Sequence, residues 1–226
     1  MSATTTPFPR AVIFDAYGTL FDVAAPVRQL LGDHADAVSE LWRRKQLEYS
    51  WLRSLMGRHA DFAQVTANAL AYAMEVAGIS DEMLANNLLA AYRKLPAYDD
   101  AKTTLAKLRA MGLRLAILSN GSPDMLTPMV EAAGLTRALD MVLSVEDAGV
   151  FKPHPRVYSL ACEKFALKPA DIGFVSANGW DAAGAASFGF AVAWLNRRHE
   201  PVDRLPATPA TQLRSLSELV QLFEAA

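Results

Sequence analysis

Asp15, Ser119, Lys152 and Asp181 are the residues of this sequence whose types could do chemistry together. Asp15 follows the short apolar run 11–13 and is followed at once by a Gly18-Thr19 turn. Ser119, Asn120, Gly121 and Ser122 close the run 113–118, Ser176 through Asp181 close the run 172–175, and Lys152 precedes Pro153 in a loop of its own. If the three runs are parallel strands, those loops sit at carboxyl ends, where open α/β sheets bind their ligands. A carboxylate, a hydroxyl, an ammonium and a second carboxylate then converge. Singly, each has a plainer reading: an Asp after a strand is as often a cap or turn residue, and a Lys before Pro is usually solvated. The ordered set, with Asp15 and Ser119 far apart in sequence, is much more specific. The rest of the chain reads as a scaffold that aims groups at Asp15.

The elements that must do the aiming change character along the chain. Residues 11–21 read as strand then turn. From about 23 to 95 the pattern is almost all helical. Residues 36–56 carry Val38, Leu41, Trp42, Leu47, Trp51, Leu52 and Leu55 at the spacing of an apolar helix face. Helices over 61–77 and 80–94 follow, with Gly78 and Pro96 as stops and 57–59 as a connector. With no strand signal there, an inserted helical subdomain is predicted. After Pro96, helices over 99–111, onward from 123 to 133, 155–165, 182–188 and 215–223 alternate with strands over 113–118, 141–143, 172–175 and 191–195. Residues 201–209, rich in Pro and Thr, read as a surface loop. This succession predicts an α/β fold, a doubly wound Rossmann-like parallel sheet with helices on both faces. The expected division is a catalytic core of residues 1–21 and 97–226 and a helical cap of residues 22–96.

Composition sets outer bounds. At 226 residues, 52% hydrophobic and 20% charged, the chain has room for a core plus an insertion and the make-up of a soluble globular enzyme. A net charge of −2 argues against a broad nucleic-acid footprint. No apolar stretch is long enough to span a bilayer. Residues 1–9 lack a signal-peptide core and read as a frayed tail. The single Cys162 rules out an internal disulfide framework and fits a reducing cytoplasm; its helical setting suits a packed small hydrophobe. His34, His59, His154 and His199 are scattered and form no ligand pair, so zinc is not expected.

The ordered set resembles the haloacid dehalogenase superfamily. Asp15 and Thr19 stand in its D-x-x-x-T nucleophile loop, Ser119 at its second motif, Lys152 at its third, and 176–181 at its acidic fourth loop. Most members are Mg²⁺-dependent phosphatases, with a second Asp two residues after the nucleophile as general acid. Here that position is Tyr17, a phenol of reference pKa about 10, and Ala177 replaces the first acidic metal ligand of the fourth loop. Mg²⁺ prefers hard oxygen ligands, and Asp15 and Asp181 alone under-supply it. The same departures resemble the L-2-haloacid dehalogenases (type II), which use no metal or other cofactor. The match extends through residues 14–23, the segment 41–49, residues 118–123, and Lys152-Pro153 through Tyr158.

That resemblance implies hydrolysis of (S)-2-haloacids to (R)-2-hydroxyacids: Asp15 attacks C2, inverts it, expels halide and leaves an ester, which water then opens at the Asp15 carbonyl. It also implies roles. Lys152 would keep Asp15 charged, and Thr19 and Ser176 would orient its oxygens. Ser119 and the main-chain N–H groups of the first loop, from Ala16 on, would bind the substrate carboxylate, with Tyr158 nearby. Arg43, Asn120 and the Trp180 edge would cradle the halide, and Asn178 and Asp181 would position or activate water. Tyr17, Leu47, Phe62 and Trp180 would form an apolar wall, and Trp42 and Trp51 would pack within the cap or at an interface. Arg44 stands where the family often has Gln, and Ala177 and Gly179 differ as well, which bears on substrate range. The expected partners are a 2-haloacid and halide, in a homodimer, with no nucleic acid and no membrane. The alternatives are a Mg²⁺-dependent phosphatase of the superfamily and a non-catalytic binding protein with this fold.

Overall fold

β1 (Ala11–Phe14) is buried over its whole length, as a strand covered on both faces must be. The computed structural model describes residues 9–32 and 35–225, so residues 1–8 of the expected tail at 1–9, and His34, lie outside the described residues. Along the chain follow β2 (Arg114–Ser119), β3 (Met141–Ser144), β4 (Ile172–Ser176), β5 (Ala191–Leu195) and β6 (Thr211–Leu213), all paired in parallel in the order β3-β2-β1-β4-β5-β6. The chain winds outward from β1 through β2 and β3, then returns to β4 on the other side. The strand order therefore reverses between β1 and β4, and the crevice above that reversal is where such sheets bind ligands. Asp15 and Ser176 sit at its two lips: Asp15 N donates to Val175 O at 2.9 Å, carrying the pairing one residue past β1.

The helices are α1 (Ala25–Leu31), α2 (Ala35–Leu55), α3 (Phe62–Val76), α4 (Glu82–Tyr92), α5 (Asp99–Ala110), α6 (Pro123–Ala132), α7 (Pro155–Phe165), α8 (Gly179–Phe188) and α9 (Leu216–Glu224). The sheet and α5–α9 form the doubly wound layer; α1–α4 form the inserted helical cap. The chain leaves and re-enters the core side by side, with Asp22 N donating to Pro96 O and Tyr98 N to Leu20 O, both at 2.9 Å. Side chains tie α2 down over the crevice: Ser54 Oγ accepts from Phe151 N at 3.1 Å, and Trp51 meets Trp180 edge-on at 5.5 Å. Beyond the end of α2, His59 Nε2 lies 2.9 Å from Glu146 Oε2.

Three local expectations need correction. The apolar face expected on α2 is split: Leu52 and Leu55 are exposed, and the buried stripe is Val38, Trp42, Gln46 and Ser50, one turn apart each. The stripe packs on α3, where Trp42 and Gln46 bond Thr66 and Ser50 bonds back to Gln46 O, so its polar groups are buried and satisfied. α8 starts at Gly179, so Asp181 lies in its first turn, where the helix dipole favours a carboxylate. β6 was not expected; three residues are too short for a periodic signal.

Candidate active site

The nucleophile loop is built by its backbone. Gly18 has φ of 82°, a left-handed conformation costly for any side chain. That turn lets Ala16 O accept from the N–H groups of Thr19, Leu20 and Phe21, folding Thr19 back beneath Asp15. Thr19 Oγ1 accepts from Ala177 N at 2.8 Å, so its single proton is directed to Asp15 Oδ2, at 3.1 Å. Asn178 Nδ2 donates to the same oxygen at 2.8 Å and to Tyr17 O at 3.1 Å. Asn178 is also the residue before α8, where its side chain would ordinarily cap the helix; it makes no such bond and is given to Asp15 instead.

Lys152 ties the two carboxylates together. Its Nζ donates to Asp15 Oδ1 at 3.1 Å and to Asp181 Oδ2 at 2.9 Å, and stands 5.0 Å from the Phe174 ring centroid. Burial alone would lower the ammonium's pKa, but Asp15 and Asp181 outweigh it and raise it above 10.5. Burial pushes the Asp181 carboxyl up from 3.8, against the pull of Lys152 and Tyr158 and helped by Asp15. Tyr158 Oη donates to Asp181 Oδ1 at 2.8 Å. It fits because Gly184 faces it: a Cβ there would lie 2.6 Å from Tyr158 Oη. Burial, reinforced by Asp181, drives the Tyr158 phenol well above 10.0.

The donor set does not fit a divalent metal. Lys152 Nζ already occupies the position between the two carboxylates, Ala177 offers no ligand, and no group of three His, Cys, Asp or Glu side chains converges among the described residues.

The cap contributes Arg43. Its Nη2 donates to Asn178 Oδ1 at 3.3 Å and its Nη1 to Gln46 Oε1 at 2.7 Å. Asn120 Oδ1 accepts from Lys152 N at 3.0 Å, while its Nδ2 donates to nothing among the described residues. The main-chain N–H groups of Ala16, Tyr17 and Asn120 also have no acceptor among the described residues. Buried N–H groups are nearly always paired, so this set is suited to an anion. Tyr17 stacks on Tyr92 at 5.3 Å and leans on Phe62 at 5.8 Å, and its buried hydroxyl has no hydrogen-bond partner among the described residues. Burial, with Tyr92 beside it, pushes its phenol well above 10.0, so at neutral pH this position holds a neutral, weak acid.

The expected site residues are thus largely gathered, with differences. Asp15, Thr19, Lys152, Asn178, Asp181 and Arg43 form one bonded network. Ser119 is fully buried, and its Oγ accepts from Gly121 N at 3.1 Å, leaving its proton to donate. Ser176 does not touch Asp15; its Oγ accepts from Asn178 N at 3.1 Å and shapes the loop. Tyr158 Oη reaches Asp181, at both its carboxylate and its main-chain oxygen, and makes no other hydrogen bond among the described residues. Phe62 is core-buried, Trp180 is half-buried against Trp51, and Leu47 is half-buried one turn after Arg43. Trp42 is buried in the cap with Nε1 on Thr66 O at 2.9 Å, and Arg44 is exposed, away from the crevice. Sequence reasoning missed Gln46 and Tyr92; their signal was a polar side chain one turn from Arg43 and an aromatic at the end of the cap.

The model of the haloacid dehalogenase-like hydrolases matches residues 9–189. (S)-2-haloacid dehalogenase 1 of Pseudomonas sp. (strain CBS-3) is 48% identical, covering 95% of this chain and 96% of its own. The chain belongs to this family. A crystal structure of a dehalogenase superposes with a TM-score of 0.93 at 44% identity, over 95% of this chain and 96% of that one. The L-2-haloacid dehalogenase of Xanthobacter autotrophicus, solved with chloropropionic acid covalently bound, superposes with a TM-score of 0.87 at 40% identity over 96% and 99%. As a haloacid dehalogenase-like hydrolase, this chain has within the matched range the loop 15–19, with a phenol, not a carboxyl, at its third residue.

Proposed function

We propose that this enzyme hydrolyses (S)-2-haloacids to (R)-2-hydroxyacids and halide through an ester on Asp15. The observation that carries this reading is Asp15 held by Lys152, Thr19 and Asn178 beside neutral Tyr17 and unpaired N–H groups. A relative with chloropropionic acid covalently bound supports the ester. The substrate carboxylate takes the N–H groups of Ala16, Tyr17 and Asn120 and the Ser119 hydroxyl. Asp15 then forms a bond to C2 from the side opposite the halogen. The carbon–halogen bond breaks with both electrons going to the halide, which Arg43, Asn120 Nδ2 and the Trp180 edge receive in place of water.

Water adds to the Asp15 carbonyl carbon, placed by Asn178. Its proton goes to Asp181, which burial has made more basic, and is passed to the departing alkoxide. C2 is untouched in this second step, so the inversion survives. Tyr158 acts only through Asp181, and Ser176 only through the loop of Asn178. Tyr17, Leu47, Phe62 and Trp180 supply the apolar wall that strips water from Asp15.

The core of 1–21 with 97–226 and the cap of 22–96 are supported by the paired chain crossings at Leu20, Asp22, Pro96 and Tyr98. Exposed Leu52 and Leu55 at the end of α2, with Met56 just beyond it, support a homodimer. A single free cysteine supports a reducing cytoplasm. No helix among the described residues is long and apolar enough to cross a membrane.

The test is chloride release from (S)-2-chloropropionate in the presence of EDTA, followed by one turnover in ¹⁸O-water. Label is expected in Asp15 and not in the first lactate formed. No chloride from any 2-haloacid would end this reading, and label in lactate would remove the ester.

A further inference from the structure

Gln46 sits in the buried stripe of α2, 1% exposed, one turn from Arg43. Its Oε1 accepts from Arg43 Nη1 at 2.7 Å and from Tyr92 Oη at 3.3 Å. Its Nε2 donates to Thr66 Oγ1 at 2.7 Å, and Thr66 Oγ1 donates to Phe62 O at 2.7 Å. The direction of this chain of bonds is forced. A carbonyl oxygen only accepts, so the one proton of Thr66 goes to Phe62. Thr66 can then only accept from Gln46, the amide cannot turn over, and its oxygen must face the guanidinium.

We infer that Gln46 is a positioning residue that aims the Arg43 guanidinium at the departing halide and leaves its charge unspent. The inference rests on the dehalogenase reading above. Arg43 carries five N–H donors, and the acceptors it meets among the described residues, Gln46 Oε1, Asn178 Oδ1 and the Tyr92 phenol, are all neutral. A carboxylate at either place would pair with the guanidinium and draw its field away from the crevice. Asn178 completes the device: one end of its amide is on Arg43 and the other on Asp15 Oδ2 at 2.8 Å, so it stands between cation and nucleophile. Tyr92, whose phenol burial pushes up against the pull of Arg43 and Gln46, closes the other side of the guanidinium.

Arg43 matters most while negative charge grows on the halogen, in the step that forms the ester. Chloride is the poorer leaving group and depends more on donors than bromide does. Opening the ester develops no charge on halogen, so it should not sense Gln46.

The test is rapid-quench single turnover with (S)-2-chloropropionate and (S)-2-bromopropionate, timing halide release and lactate release separately. Gln46→Met keeps the volume and removes the acceptor; Thr66→Val keeps the amide and removes what fixes its direction. Gln46→Met is expected to slow chloride release about 100-fold, the scale of losing one transition-state donor. Bromide release should slow clearly less and lactate release from the ester should not change. Thr66→Val should move the chloride-to-bromide ratio the same way by a smaller factor. Equal slowing of both halides, or slowed ester opening, in a Gln46→Met protein that melts like wild type would overturn the inference. Should Gln46→Met not fold, an unchanged ratio in Thr66→Val overturns it. Wild-type enzyme that releases no halide ends the dehalogenase reading itself; active wild type with an unmoved ratio ends only the role of Gln46.

Discussion

The two walls of the crevice treat charge in opposite ways. On the core wall every charge meets its opposite: Lys152 bonds Asp15 and Asp181, and all three are almost fully buried. On the cap wall Arg43 meets only neutral groups among the described residues, two amide oxygens and the Tyr92 phenol. The core cluster is part of the fold, because buried ions are tolerable only when paired. The cap cation is half-buried and unneutralised, as the proposed halide-binding role requires. Stability and chemistry should therefore be tightly joined on one wall and separable on the other.

The strongest way to break this comparison is Lys152→Met. It leaves two carboxylates buried without a counter-charge, and should cost about 3–5 kcal/mol of stability along with essentially all ester formation, read by urea unfolding and halide release. A stable but inactive Lys152→Met protein would show that the core cluster is no more structural than the cap.

Arg43→Met should separate the two properties. Chloride release should fall by about 10²–10³, while unfolding stability shifts by less than about 1 kcal/mol. A large loss of stability would erase the contrast.

Alkaline pH should sharpen it. Tyr17 and Tyr158 hold their protons in the folded state well past 10.0, and Lys152 past 10.5. The unfolded chain releases them near those ordinary values, so it binds fewer protons than the folded chain and stability falls as pH rises. The loss should begin near pH 10, at up to about 1.4 kcal/mol per pH unit for each group, as a falling melting temperature. Tyr158→Phe should flatten that fall; an unchanged slope would mean that burial does not hold this proton.

Ser176→Ala is the mildest probe. It removes an acceptor from Asn178 N alone and should cost about 1 kcal/mol of stability with a small drop in turnover. A loss as deep as that of Lys152→Met would instead put Ser176 on Asp15.

Much of the core wall was legible in the sequence. Asp15, Thr19, Ser119 and Asp181 sit just beyond apolar runs, and β1, β2 and β4 are wholly or almost wholly buried. Such positions are set by local pattern and by chain order in a parallel sheet. The bond from Tyr158 to Asp181 was not legible, because one helix turn decides which neighbour a side chain reaches. Ser176 and Thr19 look alike as hydroxyls after strands, yet only Thr19 reaches Asp15. The backbone turn at Gly18 makes that difference.

The parallel α/β frame, the strand-end placement of Asp15 and Ser119, and a phenol at 17 and a methyl side chain at 177 could be read from the sequence. These are questions of residue type at positions that periodicity already orders. Only the tertiary structure decided how α2 is rolled above the crevice. A helix offers every side chain to some neighbour, and its sequence does not say which side faces in. Docking α2 on α3 and the core buried Gln46 and exposed Leu52, Leu55 and Arg44. That roll brings Arg43 to Asn178, and with it the cap wall to the loop that holds Asp15.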